Sequence, residues 1–175
     1  LTMKDVFSLL NRQSDVESPP GKVHEYNNTG YFLLAVLVER ISGKHLHEFA
    51  KENIFDPLGM SSSLFIKDPG QIIADYACAY TSTNDGFERH TTRSSLVGST
   101  GMVCKIDDLI KWDQCFSDCK LGSGKDELMS LMQECGTLTD GTTLNYAFGL
   151  QIDDYKGHRT IWHGGSLFGY NAFYL

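Results

Sequence analysis

With 175 residues, 41% of them hydrophobic and 21% charged, the chain has the composition of an ordinary globular protein and is long enough to bury about 70% of the surface its unfolded form exposes, which excludes a disordered polypeptide. The net charge of −7 arises without a long acidic run and the basic residues are scattered, so there is no electrostatic footprint for nucleic acid. The longest apolar stretch, residues 31–38, is far shorter than the roughly 20 residues that cross a bilayer, and Leu1-Thr2-Met3-Lys4-Asp5 has neither the basic start nor the apolar core of a signal peptide.

Thr2, with Asp5 three residues on and Val6, Phe7 and Leu10 behind it, predicts a capped helix. Ser18-Pro19-Pro20-Gly21 breaks it, because proline cannot continue a helix and glycine accepts turn dihedrals. Over residues 29–42 nearly every position outside Glu39 and Arg40 is apolar or small, which predicts a core helix buried on most of its surface and stopped by Gly43. Leu46, Phe49, Ala50 and Ile54 predict a second, more amphipathic helix that ends before Asp56-Pro57-Leu58-Gly59-Met60. Residues 61–99 are weakly periodic and rich in turn formers, so they are expected to be mostly irregular.

Ile106, Leu109, Ile110, Trp112 and Phe116 line one side of a further helix, whose start carries Asp107 and Asp108 at the positive end of the helix dipole. Another is expected through Leu128, Met129, Leu131, Met132 and Cys135. After Gly136 the pattern changes, and residues 147–152, 160–163 and 170–175 read as strands separated by Lys156-Gly157 and a Gly-rich turn. The order predicts an α+β fold of one domain over residues 1–175, helical to about residue 135 and stranded from about residue 146, with helices packed on an antiparallel sheet. Three terminal strands without a covering helix would leave Tyr170, Phe173, Tyr174 and Leu175 exposed at a chain end, so further sequence is expected at the C-terminus.

Two segments could carry chemistry. Tyr26-Asn27-Asn28 precedes the core helix, where a phenol and an amide can both face a cleft; a phenol of pKa about 10 becomes a base where cations stabilise its phenolate. The competing reading has Asn28 capping the helix while Tyr26 packs. His163-Gly164-Gly165-Ser166 offers an imidazole beside glycines that let backbone N–H groups approach a ligand; the competing reading is a glycine hairpin beside a packed histidine. No metal is expected, since His45 and His47 lie two apart on a helical segment and do not share a face as i and i+4 ligands would. The five cysteines, at positions 78, 104, 115, 119 and 135, lack paired Cys-x-x-Cys spacing and read as thiols on helix faces.

Further segments fall in a recognisable order: Pro20-Gly21, Tyr26-Asn27-Asn28-Thr29-Gly30-Tyr31, Leu33-Leu34, Glu39-Arg40-Ile41-Ser42-Gly43, Pro57-Leu58-Gly59-Met60, Gly98-Ser99-Thr100-Gly101-Met102 before Asp108-Leu109, Phe148-Gly149-Leu150, and His163-x-Gly165 with Gly169 behind it. Together they resemble the serine β-lactamase, penicillin-binding DD-peptidase and esterase family, over about residues 20–170. The resemblance implies a β-lactamase/transpeptidase-like fold, incomplete here at both ends, and a serine hydrolase that forms an acyl-enzyme, without a cofactor. Tyr26 would be the base and Asn28 would bond the substrate amide or the catalytic lysine. His163 would stand where many members carry the Lys of Lys-Thr-Gly, with Gly164 and Gly165 against the substrate. The backbone N–H of Ser166 would give half of an oxyanion hole.

The family's Ser-x-x-Lys nucleophile motif stands well before its tyrosine, whereas the match here, Ser117-Asp118-Cys119-Lys120, follows Tyr26 and reads as the polar end of a surface helix. The resemblance therefore implies a nucleophile upstream of these residues. Asn27 replaces the serine of most relatives, and His163-Gly164-Gly165 replaces Lys-Thr-Gly and removes a permanent positive charge that holds a substrate carboxylate. An esterase or a peptidase acting on D-amino-acid substrates thus fits better than a true β-lactamase. The alternative is a non-catalytic relative binding peptides or peptidoglycan-like ligands in the same cleft. The resemblance favours a periplasmic or extracellular setting, and the cysteines pull the other way.

Overall fold

Val6, Phe7 and Leu10 recur at helical spacing, and helix α1 forms over them, Met3–Leu10. The computed structural model describes residues 3–90, 96–118, 121–122, 125–167 and 169–175, so the expected Thr2 cap lies outside the described residues. Helix α2, Asn28–Ser42, ends where Gly43 adopts a left-handed φ of 71° and returns its N–H to Glu39 O. Its burial differs from the expectation. Phe32, Ala35 and Val36 are buried, Phe32 against Phe7 with ring centroids 6.2 Å apart, while Leu34, Leu37 and Ile41 are exposed. An all-round apolar helix selects no face by itself; its tertiary neighbours do.

The next helical run also departs from expectation, because it passes through Pro57 instead of stopping before it. Helix α3, Leu46–Ala50, continues as a π-helical turn, Lys51–Phe55, and then as the short α4, Asp56–Leu58. The Asp56 N–H reaches back to Lys51 O, a wide turn just ahead of a proline that has no N–H to give. Gly59, at φ 68°, ends the run. Ala50, Phe55 and Met60 form a buried cluster, with Ile54, Leu58, Phe65 and Trp112 packed against it.

Four short strands follow: β1 (Leu64–Phe65), β2 (Ala79–Thr83), β3 (Gly86–His90) and β4 (Met102–Val103). β1 pairs antiparallel with β4, and β2 with β3. The β2–β3 hairpin contradicts the irregular reading of its region; Asn84-Asp85-Gly86 carries the Asp-Gly turn signal that could have found it. Helix α5, Ile106–Ser117, and helix α6, Lys125–Met132, match the apolar spacings, although α6 stops before Cys135. Asp108 bonds well beyond its own helix. It is 2% exposed, and Oδ2 accepts from Ser62 N–H at 2.8 Å and Ser63 Oγ at 2.9 Å, while Oδ1 accepts from Lys111 Nζ at 2.8 Å. It thereby ties the start of α5 to the loop after Met60.

The last three strands, β5 (Gln151–Tyr155), β6 (His158–Leu167) and β7 (Tyr170–Tyr174), form an antiparallel sheet in the order β5-β6-β7. Two local corrections apply. Residues 147–150 form a tight turn, with Ala147 N–H donating to Leu150 O at 2.8 Å, and the glycines expected in a turn lie inside β6, paired with β7. Gly164 and Gly165 stay extended because Phe173 and Ala172 pair with them. Contacts divide the chain into two units, Leu1–Gln71 with Ser94–Met129, and Ile72–Arg93 with Ser130–Leu175. No helix among the described residues is long and apolar enough to cross a membrane.

Candidate active site

In the first unit the candidate residues gather at the start of α2. Asn27, in extended conformation at φ −143°, caps the helix: its Oδ1 accepts from Gly30 N–H at 3.1 Å. Capping by Asn27 leaves Asn28 as the first helical residue, with its carboxamide available to Tyr26, whose hydroxyl donates to Asn28 Oδ1 at 3.4 Å. Tyr26 is 59% exposed, so the reading in which Asn28 caps and Tyr26 packs is overturned on both points. Burial, and secondarily the Tyr26 charge, pushes the Tyr31 phenol above its ordinary pKa, which leaves Tyr31 a neutral neighbour.

Gly98 positions this turn from the opposite side. A Cβ there would lie 2.6 Å from Tyr31 O and 2.8 Å from Ala35 Cβ, and its φ of 112° is open to glycine. Gly98 therefore lies directly on α2. Thr100 Oγ1 donates to Leu96 O at 2.9 Å, and Ile66 N–H donates to Gly101 O at 2.8 Å, which anchors the chain that follows Gly98.

In the second unit, His163, Gly164, Gly165 and Ser166 run consecutively along β6. The β5 pairing ends at the Gln151–Trp162 pair, and from His163 to Leu167 the ladder is with β7. The opposite edge of these residues carries no strand among the described residues. Such an edge presents alternate N–H and C=O groups to a ligand. His163 is half-buried, and its Nε2 lies 3.1 Å from the Tyr146 hydroxyl, with the two rings edge to face. Tyr146 escaped the sequence reading; the signal was its place just ahead of Phe148-Gly149-Leu150.

The remaining candidates are peripheral. Ser117 closes α5 at the surface, as expected, and Cys119 and Lys120 of the same motif lie outside the described residues. His45 precedes α3 and stacks on His47 with ring centroids 5.6 Å apart, while its Nδ1 faces Glu39 at 3.0 Å; no cluster of metal-ligating side chains occurs among the described residues. Of the described cysteines only Cys115 sits on a helix; Cys78, Cys104 and Cys135 lie in loops because the neighbouring elements end short of them. Burial, then the Asp108 charge, pushes the Cys104 thiol up.

The chain is similar to known proteins. The family model described as Beta-lactamase matches residues 10–175. The chain is 33% identical over 168 residues to a D-aminopeptidase of Brucella anthropi, covering 94% of this chain and 31% of that protein, and 30% identical over 166 residues to a D-aminopeptidase of Brucella ovis with the same coverages. It thus spans about a third of the length of these curated relatives. Among solved structures it is similar to the octameric penicillin-binding protein homologue from Pyrococcus abyssi (TM-score 0.75, 26% identity, 89% of this chain and 36% of that one). It also resembles the D-amino acid amidase from Ochrobactrum anthropi SV3 complexed with D-phenylalanine (TM-score 0.77, 20% identity, 98% and 52%), a likeness of fold.

Proposed function

The chain belongs to the β-lactamase family, and from that premise we propose that it forms part of a serine hydrolase that cleaves an amide of a D-amino acid or D-peptide through an acyl-enzyme. The observation that carries this reading is the pairing of Tyr26 with Asn28, 3.4 Å apart on the exposed first turn of α2. Tyr26 is the base that manages the proton of the nucleophilic serine, and Asn28 hydrogen-bonds the substrate amide or the catalytic lysine. The identity to D-aminopeptidases supports an amide substrate over a β-lactam.

The nucleophilic serine and its lysine come from outside these 175 residues, in keeping with the third of the relatives' length that the chain spans. The β6–β7 hairpin supports a backbone role for Ser166. In an antiparallel ladder alternate residues turn their N–H groups away from the partner strand, and Ser166 lies in the β6–β7 ladder opposite Asn171, at the edge of β6 beyond its pairing with β5. The Ser166 N–H stabilises the tetrahedral oxyanion, and Gly164 and Gly165 allow the substrate backbone to approach. An imidazole at His163, in place of the permanent charge of a lysine, suits a substrate without the carboxylate of a β-lactam antibiotic.

The test is intact-mass analysis after treatment with a fluorophosphonate, on this chain and on a version extended upstream, together with hydrolysis of D- and L-amino-acid anilides. Labelling of the extended protein alone, with D-selective hydrolysis, is the expected result. An adduct on the 175-residue chain itself would place the nucleophile within it and overturn the assignment. A folded extended protein that neither labels nor hydrolyses would be a ligand-binding relative instead.

A further inference from the structure

We infer that Tyr146 is a positioning residue for His163, holding the imidazole in one orientation and one neutral tautomer. The Tyr146 hydroxyl lies 3.1 Å from His163 Nε2, and the rings meet at 69° with centroids 6.2 Å apart. A half-buried phenol needs a hydrogen-bond partner. Here it has an imidazole nitrogen, and the bond made at one ring nitrogen decides where the imidazole proton sits.

Both partners are anchored from behind. The Tyr146 carbonyl accepts from Gly136 N–H at 3.0 Å, and Tyr146 forms a bridge with Gln151 at the start of β5. Next to it, Asn145 O accepts from Ile152 N–H at 2.8 Å, and Asn145 Nδ2 donates to Asp153 Oδ1 at 3.1 Å. The other oxygen of Asp153 accepts from Trp162 Nε1 at 2.7 Å, and Trp162 packs on Phe173 with ring centroids 5.4 Å apart. One carboxylate thus holds the chain neighbour of Tyr146 and the chain neighbour of His163. Successive residues of an extended strand face opposite sides, so within β6 the Trp162 and His163 side chains leave the sheet on opposite faces.

A phenol can donate or accept, but its O–H is a stronger acid than a neutral imidazole N–H, so the inferred arrangement has the hydroxyl donating to Nε2 and the ring proton on Nδ1. Without the hydroxyl, the ring reverts to the Nε2–H tautomer that free imidazole side chains favour. The consequence for catalysis, a His163 ring held in one orientation on the strand that carries Gly164, Gly165 and Ser166, rests on the function proposed above.

Long-range 1H–15N spectra of the histidine-labelled protein read the tautomer directly, with His163→Gln assigning the resonance. Tyr146→Phe keeps the ring and removes only the hydroxyl; His24, His45, His47, His90 and His158 serve as internal controls for an intact fold. The expected result is a change of His163 from mainly Nδ1–H to mainly Nε2–H with the five control signals unmoved, and, in the version extended upstream, a fall in kcat/KM on a D-amino-acid anilide of about tenfold, carried by kcat. An unchanged His163 tautomer in Tyr146→Phe overturns the inference. A tautomer change in a protein that hydrolyses nothing would uphold the positioning role and remove the function assigned to the site.

Discussion

The Tyr26 hydroxyl donates to Asn28 Oδ1 at 3.4 Å across the one residue, Asn27, whose own side chain caps the helix they share. The cap and the candidate catalytic pair are therefore a single construction. Asn27→Ala removes the acceptor for Gly30 N–H and should cost about 1 kcal/mol of stability, while Asn27→Ser, another good cap, should cost less. Chemical denaturation of both variants checks this; equal losses would show that the cap does not hold the turn.

Tyr26→Phe keeps the ring and removes the proton-carrying oxygen. On the proposed mechanism kcat should fall by roughly 10²–10⁴ with KM little changed, because a base acts in the transition state and contributes little to ground-state binding. Steady-state kinetics of the version extended upstream, on a D-amino-acid anilide, would show it. A variant with near-normal kcat would remove Tyr26 from the chemistry.

Asp108 gives stability a dependence on pH. Burial raises its pKa, but the hydrogen bonds from Lys111, Ser63 and Ser62 and the charge of Lys111 outweigh it, and the net shift is below the ordinary 3.8. A carboxyl depressed in the folded state contributes stability that is fully present above its unfolded pKa and is lost as pH falls through the folded one. Asp108→Asn should therefore destabilise by about 2–3 kcal/mol at neutral pH, and the gap to the unaltered protein should narrow in acid. Urea midpoints measured from neutrality down into the carboxylate range would show no narrowing if Asp108 were uncharged in the fold.

Gly98→Ala should be poorly tolerated. The new methyl would meet Tyr31 O at 2.6 Å, and the φ of 112° is strained for alanine. A loss of about 1–3 kcal/mol is expected, with a fall in activity as α2 shifts. Thermal unfolding beside Gly30→Ala, where a Cβ has nothing within 4 Å, separates this clash from the general cost of replacing a glycine.

Much of this was legible in the residues. The helix stop at Gly43 follows from one backbone needing a left-handed conformation, and the apolar spacing of α5 follows from a single face; both are local properties. The ordered motifs from Tyr26 to Gly169 carried the family, because many weak signals in one order are jointly specific. Other features depend on partners far along the chain. Asp108 read as a charge suited to a helix dipole, and its buried bonds reach 45 and 46 residues back to Ser63 and Ser62.

By itself, then, the sequence determined the stop of α2 at Gly43, the presence and order of the main helices and the family, since dihedral preference and hydrophobic period act within a few residues. Only the tertiary structure decided that Asn27 rather than Asn28 caps α2, that Gly164 and Gly165 are strand instead of turn, and that Tyr146 meets His163. A glycine pair is compatible with either conformation, and the pairing with Ala172 and Phe173 selects one; a phenol finds its imidazole because β5 and the turn before it bring together residues 17 apart.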